Sequence, residues 1–144
     1  MASCNVELVL IGAGESAREY GDIFLGTIPE ARDTINQTSI RETIEVLRLC
    51  DYYLGGDTGP MHLAVALGLG GAAVFKTSRV LPGVVHNPAV WFSPWRSKIA
   101  ICQPDSPLAG CEKGCEVGYP HCIKLVTPQQ VFDEMKRQIE GGTP

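Results

Sequence analysis

The sequence predicts an α/β protein built on a parallel, Rossmann-like sheet flanked by helices. Three observations carry that prediction. Short, nearly unbroken apolar runs alternate with amphipathic stretches, Gly-rich turns stand between them, and capping signals open the helical stretches. The 144 residues suit one domain, so residues 1–144 read as a single Rossmann-like unit. Hydrophobic residues are 44% against 19% charged, enough for a packed core and against disorder.

Val6 to Ile11 is an apolar run that reads as a strand buried on both faces. Gly12-Ala13-Gly14 breaks it, and a helix is predicted from about Ser16 to Leu25. Ala31 to Ile35 is a weaker candidate for a second strand. Ser39-Ile40-Arg41-Glu42 has the capping-box form, and Ile40, Ile44 and Leu47 then recur on one helical face. That helix is predicted to end near Cys50, ahead of a strand from Tyr52 to Gly55. A further helix starts just after Thr58, and Gly71 to Phe75 makes another buried strand.

Residues 76–94 are rich in Pro and read as loop, fastened by Trp91, Phe92 and Trp95. Those aromatics can also stack on a base or sugar, although packing is their commoner use. Lys98 to Cys102 reads as the last strand, and residues 103–120 as irregular. The closing helix has Thr127 as cap, Pro128 at its first position and Gln130 at its third. Val131, Phe132, Met135 and Ile139 form its predicted apolar face, and Gly141-Gly142 its end.

The net charge of −4, with no cluster of Lys or Arg, argues against nucleic acid as a partner, because phosphate neutralisation needs a basic patch. The apolar stretch from Leu63 to Phe75 is too short, and too interrupted by glycine, for a transmembrane segment. No secretory pattern stands at the N-terminus, so a cytoplasmic location is the expectation. The six cysteines then read as thiols or metal ligands before disulfides. Cys102, Cys111, Cys115 and Cys122, with His121, lack the paired knuckles of strong zinc patterns. Structural thiols are the safer reading, and no metal is assigned. His86 and His121 read as loop histidines.

Asp57-Thr58-Gly59-Pro60-Met61-His62 lies where a strand hands over to a helix. Ligands collect at the carboxyl ends of strands in open α/β sheets, and a helix N-terminus attracts phosphate. Thr58 adds a hydroxyl, Gly59 lets a ligand approach the backbone, and Met61 and His62 offer amides. The His62 ring offers a donor or a charge. Asp57 has three readings: it caps the helix, it pairs with His62, or it hydrogen-bonds sugar hydroxyls. Against all this, Asp-Thr-Gly before a helix caps well in any protein, and a first-turn His often only bonds a nearby carbonyl. Gly12-Ala13-Gly14-Glu15-Ser16-Ala17 also matches a dinucleotide-binding pattern. The match is weak, because Glu15 would repel a pyrophosphate and neither Glu30 nor Asp33 clearly ends a strand.

The stretch from Thr38 to Phe75 resembles the nucleotide-sugar domain of the heptosyltransferase-like glycosyltransferases of family 9. The resemblance rests on Thr38-Ser39-Ile40-Arg41-Glu42-Thr43, Leu49-Cys50-Asp51, the block from Gly56 to Ala64, and Ala66-Leu67-Gly68. Gly12-Ala13-Gly14-Glu15 and the late Thr127, Pro128 and Val131 fit it too. It implies one half of a two-domain GT-B glycosyltransferase: a donor domain for an ADP-activated sugar, typically heptose. Transfer to a lipopolysaccharide core would be metal-independent and inverting, with no cofactor beyond the nucleotide-sugar donor. Asp57, Thr58, Gly59, Met61 and His62 would hold the diphosphate and sugar. Glu15 would reach the ribose, and the backbone at Thr38 would lie near the base.

Two departures limit the resemblance. The N-terminal acceptor domain has no counterpart here, so a partner chain or a missing domain is implied and little activity is expected from these residues alone. Phe75-Lys76-Thr77-Ser78-Arg79 also replaces the family's Phe-Gly pair. Lys76 and Arg79 there either lend charge to a phosphate or are simply solvated. The alternative reading is a stand-alone nucleotide-binding module or a non-catalytic remnant, and self-association into a homo-oligomer stays open.

Overall fold

The computed structural model describes residues 6–76, 78, 98–108 and 122–141. Trp91, Phe92, Trp95, His86, Arg79, Cys111, Cys115 and His121 lie outside the described residues. The chain divides into two compact units, Met1–Leu47 and Arg48–Pro144. Each contains parallel strands with flanking helices, the α/β class predicted.

The first unit runs β1 (Val9–Leu10), α1 (Glu15–Thr27), β2 (Arg32–Asp33) and α2 (Ile40–Arg48). β1 and β2 pair in parallel, Val9 opposite Arg32 and Leu10 opposite Asp33. The regular strand is shorter than the apolar run Val6 to Ile11 suggested. Its partner explains why: β2 is polar and sits between two turns, so it offers only a short ladder. The amides of Arg32, Thr34 and Asn36 donate to the carbonyls of Leu8, Leu10 and Gly12, which marks the full extent of the pairing. Val6 and Leu8 are exposed, not buried on both faces.

Gly14 precedes α1 with φ of 94°, a backbone that a side chain would strain. Asn36, itself left-handed at φ 60°, locks that turn. Its side-chain oxygen accepts the Gly14 amide at 2.7 Å. The core of this unit is Ala31, Ile35 and Leu47. The capping box of α2 forms as the sequence indicates. The Ser39 amide and hydroxyl donate to Glu42 at 2.8 and 2.7 Å, and the Glu42 amide returns to Ser39 Oγ at 3.3 Å. Ile40 does not join the buried face, being 74% exposed in the first helical position. Leu47 carries the packing instead.

Arg18 on α1 donates to Asp33 at 2.6 Å and pairs with Asp22 at 2.7 Å. The hydrogen bond from Arg18 holds the Asp33 carboxyl below the usual carboxylate range, helped by the Ile35 amide. A depressed carboxylate contributes stability that is present above its unfolded pKa and lost as pH falls through the folded one. Urea unfolding midpoints are therefore expected to drop on acidification below about pH 4. Asp33→Asn should remove part of that drop while Glu42, lowered by the Ser39 amide, keeps its share. Parallel pH profiles for parent and Asp33→Asn would refute the assignment.

The second unit runs β3 (Tyr52–Gly56), α3 (Gly59–Leu67), β4 (Gly70–Val74), β5 (Ile99–Cys102), a 3₁₀ turn (Cys122–Leu125) and α4 (Pro128–Glu140). β4 is the central strand, parallel to β3 and β5. It is built from Gly70, Gly71, Ala72, Ala73 and Val74, and all but Val74 are buried. Gly71 has φ of 130° beside the Tyr53 backbone. α3 packs on β3, and α4 on β4. The core comprises Tyr53, Met61, Ala64, Leu69, Ala72, Ala73, Phe75, Ile99 and Cys122. Gly68 closes α3 in the left-handed conformation, and the Gly68 and Leu69 amides return to Val65 and Ala64.

α4 opens with the predicted capping box. The Gln130 amide donates to Thr127 Oγ1 at 3.2 Å, and the Thr127 amide donates to Gln130 Oε1 at 2.7 Å. Phe132 departs from the predicted face and is 61% exposed, whereas Val131, Met135 and Ile139 are half-buried. Phe132 follows Val131 around the helix by about 100°, which carries it past the edge of the packed stripe. Among the described residues no helix is long and apolar enough to cross a membrane.

Candidate functional site

The parallel register aligns Gly56 with Val74 and Val74 with Cys102. The connections after these three strands therefore leave from one edge of the sheet. Asp57 and Thr58 lie there, between β3 and α3, and Phe75-Lys76 follows β4. Lys76 is exposed.

Thr58 is the N-cap of α3, extended at φ −142° and ψ 170°. Asp57 is thus one residue too early to cap. Thr58 caps through its backbone alone: its carbonyl accepts the Met61 amide at 3.0 Å and the His62 amide at 3.4 Å. Its hydroxyl turns back to the Gly56 carbonyl at 3.5 Å. This revises the expected donor set. The amides of Met61 and His62 already have an acceptor, and Pro60, the second helical residue, has no N–H. Gly59, first in the helix, keeps an N–H without an intrahelical acceptor. Met61 buries its side chain completely and anchors the start of α3 in the core.

His62 and Asp57 come together. His62 Nε2 lies 3.5 Å from Asp57 Oδ1, and their side chains are 59% and 56% exposed. An exposed pair of this kind contributes at most about 1 kcal/mol to stability. What it does is arrange charge: the imidazole and the carboxylate stand side by side, open to solvent, at the positive end of α3.

Tyr53 is a member of this cluster that periodicity did not single out. It is buried, and its hydroxyl donates to the Gly56 carbonyl at 3.4 Å. Burial raises its pKa above the ordinary phenol value. The nearby Thr58 hydroxyl works against that rise, and the Asp57 charge adds to it. The signal in the sequence was Gly55, two residues on and on the same strand face.

Glu15 and Thr38 belong to the first unit. Glu15 is the exposed first residue of α1. The Thr38 hydroxyl, half-buried, hydrogen-bonds that of Thr43 at 2.9 Å, ahead of α2. The Gly14 amide that a pyrophosphate would take in a dinucleotide site is given to Asn36, and Asp33 is tied to Arg18. Both arrangements weigh against the dinucleotide pattern.

Among the described residues, Cys50, Cys102 and Cys122 form no disulfide. Cys122 Sγ accepts the Leu108 amide at 3.5 Å, a packing role. Among the described residues no group of three or more His, Cys, Asp or Glu side chains is placed to hold a metal ion.

The model of glycosyltransferase family 9 (heptosyltransferase) matches residues 5–105, which include β1 to β5 and the whole Asp57–His62 cluster. Lipooligosaccharide heptosyltransferase 2 of Campylobacter jejuni serotype O:6 is 23% identical over 137 residues, covering 91% of this chain and 40% of the relative. The serotype O:2 protein of the same name is 24% identical over 144 residues, covering 94% and 42%. The chain thus spans about two-fifths of the length of these relatives. No solved structure matches. With well over half of its residues inside the family model, the chain belongs to glycosyltransferase family 9, the heptosyltransferase family.

Proposed function

We propose that this chain is the donor half of a heptosyltransferase-like enzyme, binding an ADP-activated heptose for transfer to a lipopolysaccharide core or similar glycan. The observation that carries the reading is the Asp57–His62 pair at the start of α3, on the carboxyl edge of a parallel sheet, inside the region that matches the family. A diphosphate there would meet the Gly59 amide, the Thr58 hydroxyl and the His62 imidazole. Asp57 would hold the ring in place. During transfer, negative charge grows on the departing diphosphate, and fixed donors offset it without reorganising.

Transfer also needs an acceptor site and the exclusion of water. The chain covers about two-fifths of its relatives, so these residues would form one wall of the active site. In this reading the chain by itself binds nucleotide but turns over little.

Calorimetric titration of the chain with ADP, UDP, GDP and NAD tests the proposal. ADP is expected to bind best, at low affinity. Tightest binding to NAD would transfer the case to the Gly12–Gly14 turn, and absence of binding to all four would leave the remnant reading.

A further inference from the structure

Tyr53 and Gly55 lie on the same face of β3. A Cβ at Gly55 would come within 3.1 Å of Tyr53 Cε1 and 2.7 Å of Cζ, and closer still to the phenolic oxygen. The phenol therefore occupies the space that a side chain at 55 would need. It lies along the strand toward the carboxyl end and delivers its hydroxyl to the turn that opens α3.

Two hydroxyls converge there on one acceptor. Tyr53 donates to the Gly56 carbonyl at 3.4 Å and Thr58 at 3.5 Å. A carbonyl oxygen has two lone pairs and accepts both, but each bond is long. A phosphate oxygen that takes the Thr58 proton takes it away from Gly56. The Gly56 carbonyl then keeps a side-chain donor only through Tyr53.

We propose that the Tyr53 hydroxyl is a positioning group of the diphosphate site, satisfying the Gly56 carbonyl so that Thr58 can turn its own hydroxyl to the ligand. The inference rests on the donor-site reading above. Tyr53 itself touches no ligand in this scheme. It acts through Thr58, and its ring serves the core independently of its hydroxyl.

The test is ADP titration of four versions of this chain: parent, Tyr53→Phe, Thr58→Val and the double variant, each with a thermal melt. Phenylalanine keeps the ring in the space beside Gly55. Tyr53→Phe is expected to weaken ADP binding by about 3- to 10-fold, the range for one net hydrogen bond. In the Thr58→Val background it should cause no further loss, because the proton it releases is gone. A merely structural role would lower the melting temperature or weaken binding equally in both backgrounds, and either result overturns the proposal. Unchanged affinity in Tyr53→Phe, with Thr58→Val still damaging, overturns this inference alone. Thr58→Val and His62→Ala without effect on ADP binding would sink the donor-site reading itself, and this inference with it.

Discussion

Replacing Gly71 with alanine is expected to destabilise the second unit severely. Gly71 has φ of 130°, outside the range a side chain tolerates, and it stands opposite Tyr53 in the central strand. An added Cβ would lie 2.8 Å from the Tyr53 amide nitrogen and nearer still to its carbonyl oxygen. These are backbone atoms held in a ladder, so they cannot swing aside as a side chain end would. Relief requires prising β3 from β4, and β3 leads directly into the Asp57–His62 turn. Overpacking and the unfavourable backbone together cost about 3 kcal/mol or more. That is a large share of the roughly 5–15 kcal/mol that holds an ordinary domain. Soluble yield and the urea midpoint are the measurements. Gly26→Ala serves as the control: it lies in α1, no atom stands within 4 Å of its added Cβ, and alanine favours helix. The two substitutions should move the midpoint in opposite directions. A Gly71→Ala chain with the parent's midpoint would mean that β3 and β4 are not paired as described.

His62→Ala and Asp57→Ala are each expected to weaken ADP binding by about tenfold, in keeping with the loss of one charge-assisted contact. The roles differ. His62 would donate to the diphosphate, whereas Asp57, a carboxylate near an anion, helps only by holding the imidazole. Loss of Asp57 alone would otherwise relieve repulsion and improve binding. If the two act as a pair, the double variant should bind no worse than His62→Ala, since Asp57 has nothing left to hold. Both groups are more than half exposed, so the contribution should also fade as salt is added. Tighter ADP binding by Asp57→Ala would exclude the pairing role and leave the carboxylate to the sugar.

Features that depend on near neighbours were legible in the sequence. Ser39 with Glu42 and Thr127 with Gln130 are three residues apart, and both capping boxes formed. The hand-over from β3 to α3 was placed correctly because glycines end the strand and proline suits a first helical turn. What the sequence hid were arrangements set by partners distant along the chain. β1 is short because β2 is short, and nothing within Val6 to Ile11 reports that. Asn36 holds Gly14 across 22 residues, and Arg18 reaches Asp33 across 15. Ile40 and Phe132 matched the helical period, but period gives a direction and not the width of the surface that covers it. At the site, the pairing of Asp57 with His62 was one of three readings. The backbone settled the capping alternative by making Thr58 the N-cap. Tyr53 could not be seen as a neighbour of Thr58 until the empty side-chain position at Gly55 was set beside its ring.

The central position of β4 has a kinetic consequence. Its amides and carbonyls are engaged by β3 on one side and β5 on the other, and its first four residues are shielded from water. Hydrogen–deuterium exchange there requires the opening of the whole unit, so those amides should be the last to exchange. The short β1–β2 ladder, flanked by exposed Val6 and Leu8, can open locally and should exchange early. The first turn of α3 lies one short connection from the slow strands. The groups proposed to meet a diphosphate would therefore be held by the most persistent part of the second unit, where a fixed array of donors is worth most.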